Sequence, residues 1–477
     1  MRTPHFLIEV FVTQAINPFA TLTELAARLE RREMTALELA EFYLQRIGRA
    51  NPKLNAFVTV EPDLARDLAC ASDARRAAGF ALGPLDGVPI ALKDLLEIEG
   101  RITTVGSALW RDRRSKETAV AVQRLAAEGM VILGKTQMVE FAFGGWGPNP
   151  KLGTPWNPWD LNAHRTPGGS SSGSGVAVAA GLAPAAIGSD TGGSVRIPAS
   201  LNGITGLKTT GGLISLRGAF PLSSTLDSIG PMTRDVDDAL LLTAAMAEPA
   251  RRGALEASTP RRNDLAGVRV VLVPADQAPI AVDANAQKAL DDARRVLASL
   301  GATFVEKRFP FDFADLMRRN GQLIAAEAYT VHRAYVEDPA LPIGPWVRSR
   351  LLGGKGITAA DYIDALAHRR AACAIWREWM RDADAVLTPT LPMPSCRLEE
   401  VDETATPLAA FTRAANYLDA CALSLPAGFS PGGLPVAIQL LGKPFDETLL
   451  LDIGRVFQRA TDWHRRTPDL AALFKDP

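Results

Sequence analysis

Two glycine- and serine-rich loops carry the chemistry-bearing side chains of this sequence: Gly168-Gly169-Ser170-Ser171-Ser172-Gly173-Ser174-Gly175 and Gly192-Gly193-Ser194. Glycine lets backbone approach a ligand and take up positive φ, and serine supplies a hydroxyl. Together such loops can aim a nucleophilic oxygen and several amide N–H donors at one reacting atom. Far upstream, Gly87-Val88-Pro89-Ile90-Ala91-Leu92-Lys93-Asp94 sets a lysine at the end of an apolar run. Burial there disfavours the ammonium form and makes the amine a candidate base. Taken singly, each motif has a plainer meaning. Gly-Gly-Ser is a common turn, a Gly/Ser octapeptide is a flexible linker, and a strand-end lysine ordinarily reaches water.

These loops need rigid neighbours. Thr21-Leu-Thr-Glu24 and Thr35-Ala-Leu-Glu38 read as capping boxes, and Leu37, Ala40, Tyr43, Leu44 and Ile47 fall on one helical face. Two N-terminal helices are expected over about 21–50. Ile90–Leu92, Met130–Leu133, Ala185–Ile187, Val268–Val273, Ala385–Leu387, Leu423–Leu425 and Val436–Leu441 read as short buried strands. Asp283–Leu300, Ala359–Met380 and Glu447–Ala460 read as helices, and Val176–Ala180 as the start of one. This alternation indicates an α/β fold. The polar stretch Pro249–Ala266 has no strand pattern and reads as a surface connection.

Bulk properties narrow the field. With 477 residues, 47% of them hydrophobic and 22% charged, the chain can bury a large core and has the balance of a soluble globular protein. A net charge of −1 points to no nucleic-acid partner and no anionic membrane surface. Phe6–Val12 is apolar but short and interrupted by Glu9, a poor signal peptide and too short to span a bilayer. A cytoplasmic location is the expectation. Cys70, Cys373, Cys396 and Cys421 are far apart and form no C-x-x-C pair, so they read as reduced thiols rather than disulfides or metal ligands.

Two tempting motifs fail on context. Gly129–Thr136 matches the phosphate-loop pattern G-x-x-x-x-G-K-T, but its middle residues, Met130–Leu133, are themselves a strand. Gly169–Gly173 matches the G-x-S-x-G elbow of α/β-hydrolases, which needs a later histidine and acid and a strand leading in. Here a proline-rich stretch, Gly153–Asp160, precedes it, and only His332, His368 and His464 follow. His164, six residues before Ser170, reads as a loop histidine.

The two serine loops, with GVPIALKD, GKTQMVEF, GSDTGGSVRIPA, STLDSIGPMTRDVDDA and GLPVAIQLLG, resemble the amidase signature family, whose members use a Ser–Ser–Lys triad. The spacing of 24 residues between Ser170 and Ser194 agrees with that family, and Ser172 departs from the glycine many members carry there. The resemblance implies a single α/β/α domain over 1–477 with a large central mixed β-sheet. Within it lie the signature core at about 85–245, a less matched region at about 249–382, and the C-terminal part of the core at about 383–477. It implies Ser194 as nucleophile, Ser170 as the bridging serine at a cis peptide bond, and Lys93 as base. Backbone N–H groups of Thr191, Gly192, Gly193 and Ser194 would form the oxyanion hole. Ser171 is expected to support Lys93 by hydrogen bonding, and Asp190 and Arg196 to hold the nucleophile loop as an ion pair. An Arg196 contact to a substrate carboxylate is the other reading of that residue. Phe143 and Trp146 are expected as pocket walls.

The implied reaction is hydrolysis of the C–N bond of a carboxylic amide, an aryl amide or carbamate included, with a small-molecule amide as partner, no metal and no cofactor. A homodimer is the default assembly. The alternative within the family is the glutaminase subunit of a tRNA-dependent amidotransferase. Asn202, in place of a cysteine common in such subunits, and Arg196-Ile197-Pro198, in place of Arg-Gln-Pro, stand against it.

Overall fold

Eleven strands drawn from almost the whole chain hydrogen-bond into one sheet in a computed structural model, which describes residues 16–257 and 262–475. They are β1 (Phe57–Val60), β2 (Pro89–Lys93), β3 (Val131–Thr136), β4 (Ala186–Asp190), β5 (Thr205–Lys208), β6 (Ser228–Thr233), β7 (Arg269–Leu272), β8 (Thr303–Glu306), β9 (Ala385–Pro389), β10 (Ala422–Phe429) and β11 (Pro435–Leu441). Their order across the sheet is β1-β3-β2-β4-β6-β5-β10-β11-β9-β7-β8. β3, β2 and β4 run parallel, as do β9, β7 and β8, while β4 through β9 are joined by antiparallel pairings. The sheet is therefore mixed. Every residue of β2, β3, β4, β5, β6, β9 and β11 is buried. Strands wetted on neither side read as continuous apolar runs and need helices on both faces, which is the α/β/α arrangement expected.

Local chemistry explains the boundaries. Both N-terminal capping boxes form: Thr21 starts the Leu22–Glu30 helix and Thr35 starts Ala36–Leu54. The Glu447–Ala460 helix has the expected ends, and Ala284–Ser299 and Ala359–Trp379 differ from expectation by at most a residue at either end. Two expectations need correction. The helix expected to start at Val176 spans Ser172–Ala179, so it begins inside the serine octapeptide and rigidifies it. Pro249–Ala257, read as a connection, is helical; proline is tolerated in a first turn, and Ala250, Leu255 and the arginines have good helix propensity. The apolar Phe6–Val12 lies outside the described residues. Among the described residues no helix is long and apolar enough to cross a membrane.

The apparent phosphate loop is not one. Gly134, Lys135 and Thr136 lie within β3, extended and paired to β2, with no loop to cradle an anion.

Candidate active site

β2 and β4 are adjacent and parallel, and the key residues lie at their carboxyl ends, where open α/β sheets bind ligands. Lys93 is the last residue of β2 and is fully buried. Its Nζ donates to Ser170 Oγ at 2.8 Å and to Ser189 Oγ at 2.9 Å. Burial, only partly offset by the carboxylates of Asp227 and Asp190, pulls its pKa down to about 7. The amine can thus shed its proton near neutrality while two hydroxyls hold it in place.

Ser170 follows a cis Gly169–Ser170 peptide, as the resemblance implied, and is itself sealed from solvent. Ser171 immediately precedes the Ser172–Ala179 helix. Its N–H donates to Ser194 O at 3.3 Å, tying the two serine loops together. The expected hydrogen bond from Ser171 to Lys93 does not form. Ser171 Oγ donates instead to Ser189 O at 3.3 Å, and Ser189 takes the position beside the amine. The geometric reason is strand alternation: the side chain of Ser189 projects from β4 toward Lys93 at the end of β2, and Ser171 lies against the backbone of Ser189.

Ser194 follows β4 across the loop Thr191-Gly192-Gly193 and, at 8% exposure, is more accessible than Lys93 or Ser170. Asp190 organises that loop. Its carboxylate accepts from Gly193 N–H (2.8 Å) and Val195 N–H (3.1 Å), from Arg196 Nε (3.0 Å) and Nη2 (2.9 Å), and from Asn416 Nδ2 (2.9 Å). Burial alone would raise its pKa, but Arg196, Lys208 and Asn416 outweigh that and hold it well below the usual carboxylate range. Arg196 is fully buried and also donates to Gln439 Oε1 (2.6 Å) and Asn416 Oδ1 (2.7 Å). Its donors are turned into the protein, so it holds the loop rather than a substrate.

The oxyanion donors need one adjustment. Gly193 N–H is committed to Asp190, whereas those of Thr191, Gly192 and Ser194 donate to no protein acceptor among the described residues. Gly193 has another reason to be glycine: its φ is +125°, and a Cβ there would collide with the Thr412 side chain. Thr412 Oγ1 in turn donates to Gly192 O at 2.7 Å. Thr191 Oγ1 donates to Asp227, whose carboxylate also accepts from Leu222 and Ser223 N–H. Burial pushes Asp227 up to about 6.

No histidine serves this site among the described residues. His164 stacks on Trp156, His332 packs among Trp110, Phe141 and Phe220, and His368 meets the Tyr417 hydroxyl. An α/β-hydrolase triad is therefore not assembled around Gly169–Gly173.

The Amidase family model matches residues 38–451 of this sequence. The chain belongs to the amidase family. Members are hydrolases of C–N bonds, and the residues expected to carry that chemistry, Lys93, Ser170 and Ser194, are placed by β2, β4 and the loops that follow them. Among curated relatives, a glutamyl-tRNA(Gln) amidotransferase subunit from Chloroflexus aggregans is 37% identical, covering 95% of this chain and 99% of its own. Its counterpart of the same name from Ralstonia nicotianae is 39% identical, over 94% and 99%. Among solved structures, the inhibitor-bound complex of an s-triazine catabolic enzyme superposes with a TM-score of 0.84 at 29% identity, over 92% of this chain and 98% of that one. An amidase crystal structure gives 0.83 at 33% identity, over 92% and 99%.

The relatives overturn one expectation. A near-neutral net charge pointed to no nucleic-acid partner, yet curated relatives along nearly the whole chain carry the name of one component of a tRNA amidotransferase. Net charge averages the whole surface and is too coarse to exclude such a partner.

Above Ser194 this amidase-family chain has a cleft of about 280 Å³. Phe143 and Trp146 both line it, as expected, and the Trp146 indole is fixed by donating to Asp402 O and Ala405 O. The far wall was not foreseen. Ile324 and Gly321 come from the Phe313–His332 helix, Arg350 from Pro345–Leu352, and Arg413 from Arg413–Tyr417. No local motif marks these residues; only the folded chain brings them beside the serines.

Proposed function

We propose that the chain cleaves a carboxamide through an acyl-enzyme on Ser194. The observation that carries this reading is the 2.8 Å Lys93–Ser170 hydrogen bond, buried beside a cleft that opens onto Ser194. Neutral Lys93 accepts a proton from Ser170 as Ser170 takes that of Ser194, whose Oγ bonds to the amide carbon. Backbone N–H groups of Thr191 and Gly192 stabilise the resulting oxyanion. Collapse breaks the C–N bond, and the relayed proton returns to the leaving nitrogen. Water then adds to the acyl-enzyme by the same relay and releases a carboxylic acid.

For its setting, the names of the curated relatives support the amide-cleaving component of a tRNA-dependent amidotransferase. A self-sufficient amidase acting on a free small amide is a second reading. One observation favours it: among the described residues no acidic side chain lines the cleft to receive the ammonium group of glutamine.

One experiment separates these. Ammonia release is measured for the purified chain with glutamine, short aliphatic amides and anilides, alone and with the other subunits of a bacterial glutamyl-tRNA(Gln) amidotransferase. Glutamine turnover that appears only on assembly supports the amidotransferase reading. Turnover of small amides by the chain alone, unchanged by those subunits, supports the amidase. Activity persisting in Ser194→Ala would refute the acyl-enzyme.

A further inference from the structure

Two ionisable side chains line the cleft among the described residues, Arg350 and Arg413, and both are cationic. Their surroundings differ. Arg350 is neutralised by Glu403 at 2.6 Å and also donates to Phe143 O at 2.9 Å. Arg413 makes one hydrogen bond, from Nη1 to Met317 O at 3.0 Å, and has no carboxylate partner among the described residues. It lies against the oxyanion loop: a Cβ placed on Gly192 would be 3.2 Å from Arg413 Cγ and 3.5 Å from its Nε. Phe143, Trp146, Ile197, Leu222 and Leu408 give the cleft apolar walls.

A guanidinium held in an apolar wall without a counter-ion is costly unless something charged meets it. Burial and the nearby charge of Arg350 lower its pKa to about 10, so it stays cationic at neutral pH. Its planar fork suits a carboxylate, which it can bind through two parallel hydrogen bonds. We propose that Arg413 seats a carboxylate on the acyl arm of the substrate, so that the amide cleaved at Ser194 carries an anionic group and no ammonium. The substrate class is the monoamide of a dicarboxylic acid. An amino-acid amide would bring its cation toward two arginines and find no acid in the cleft. This inference rests on Ser194 being the nucleophile beneath the cleft and deepens the second reading, the self-sufficient amidase, against the glutamine-using one.

Calorimetric titration of Ser194→Ala protein tests it without relying on turnover. The ligands are succinamate, butyramide, which replaces the carboxylate with a methyl group, and glutamine. Succinamate is expected to bind about 10- to 100-fold more tightly than butyramide, the range for a hydrogen-bonded charge. It should also bind more tightly than glutamine. Adding Arg413→Met should erase the preference, and Arg413→Lys should keep part of it. Equal affinities for succinamate and butyramide, no succinamate binding, tighter glutamine binding, or a preference that survives Arg413→Met would each overturn the proposal. Thermal melts check that the Arg413 variants are folded; should Arg413→Met fail, the three-ligand comparison and Arg413→Lys decide. Turnover by Ser194→Ala would instead refute the nucleophile, a separate failure.

Discussion

Lys93 and Lys135 sit side by side on β2 and β3, where Leu92 pairs with Lys135 and Lys93 with Thr136, and both are buried. Burial lowers the pKa of each. Their partners differ. Lys135 donates to Thr103 Oγ1 at 3.1 Å and pairs with the Asp94 carboxylate at 3.4 Å. Lys93 meets only the hydroxyls of Ser170 and Ser189. A carboxylate rewards the ammonium form, whereas a hydroxyl can accept from an ammonium or donate to an amine. Two equally buried lysines thus face different atoms: one a carboxylate that favours a structural ion pair, the other hydroxyls that suit the proton acceptor proposed here.

The comparison breaks most visibly on truncation. Lys93→Met is expected to lower kcat about 10²- to 10⁴-fold, the range for losing a general base, with the protein still folded by circular dichroism. Lys135→Met should do the reverse. It strands Asp94 in the interior and should cost about 3–5 kcal/mol in urea unfolding, while turnover per folded molecule stays near wild type. Asp190→Asn falls in the stability class for the same reason. It leaves Arg196 buried without its anion and should cost a similar about 3–5 kcal/mol, with Gly193 losing its charged acceptor as well.

Smaller effects sharpen the comparison. Because Lys93 must be neutral to accept a proton and titrates near pH about 7, kcat/KM should rise with pH through neutrality and then level off. A flat profile from about pH 5 to about pH 9 would contradict the assignment. The same depressed pKa means that the unfolded chain binds the lysine proton more readily. Its contribution to stability therefore grows as pH rises from about 7 toward the unperturbed value of about 10.4. Ser189→Ala removes one acceptor from the ammonium form, so the kinetic midpoint should move to lower pH. Its effect on stability should be about 1 kcal/mol.

The residues proposed as the triad stand out in the sequence because they sit in short, compositionally unusual stretches at a defined separation. Glycines and serines cluster there for reasons of backbone access that leave a local trace. The strands that end at Lys93 and lead into the Ser194 loop likewise follow from contiguous apolar runs. Ser189 was missed because strand alternation, not composition, aims it at Lys93. Asn416, Gln439 and Arg413 were missed because they arrive from distant stretches of the chain and carry no signal of their own. The assignment of Gly193 to the oxyanion hole overlooked a competing acceptor, since Asp190 lies only three residues before it. The Pro249–Ala257 helix escaped because its polar residues mask an ordinary helical stretch.

The two walls of the cleft come from distant lengths of this polypeptide. The residues proposed to break the bond run from Lys93 to Ser194, a stretch that also supplies Phe143 and Trp146, while the facing wall is assembled mainly from residues 321–325, 350 and 404–413. The two lengths touch through Thr412 on Gly192, Asn320 on Thr191, and Arg413 alongside the oxyanion loop. Rewriting the later stretch can therefore reshape one side of the cleft while Phe143 and Trp146 keep the other.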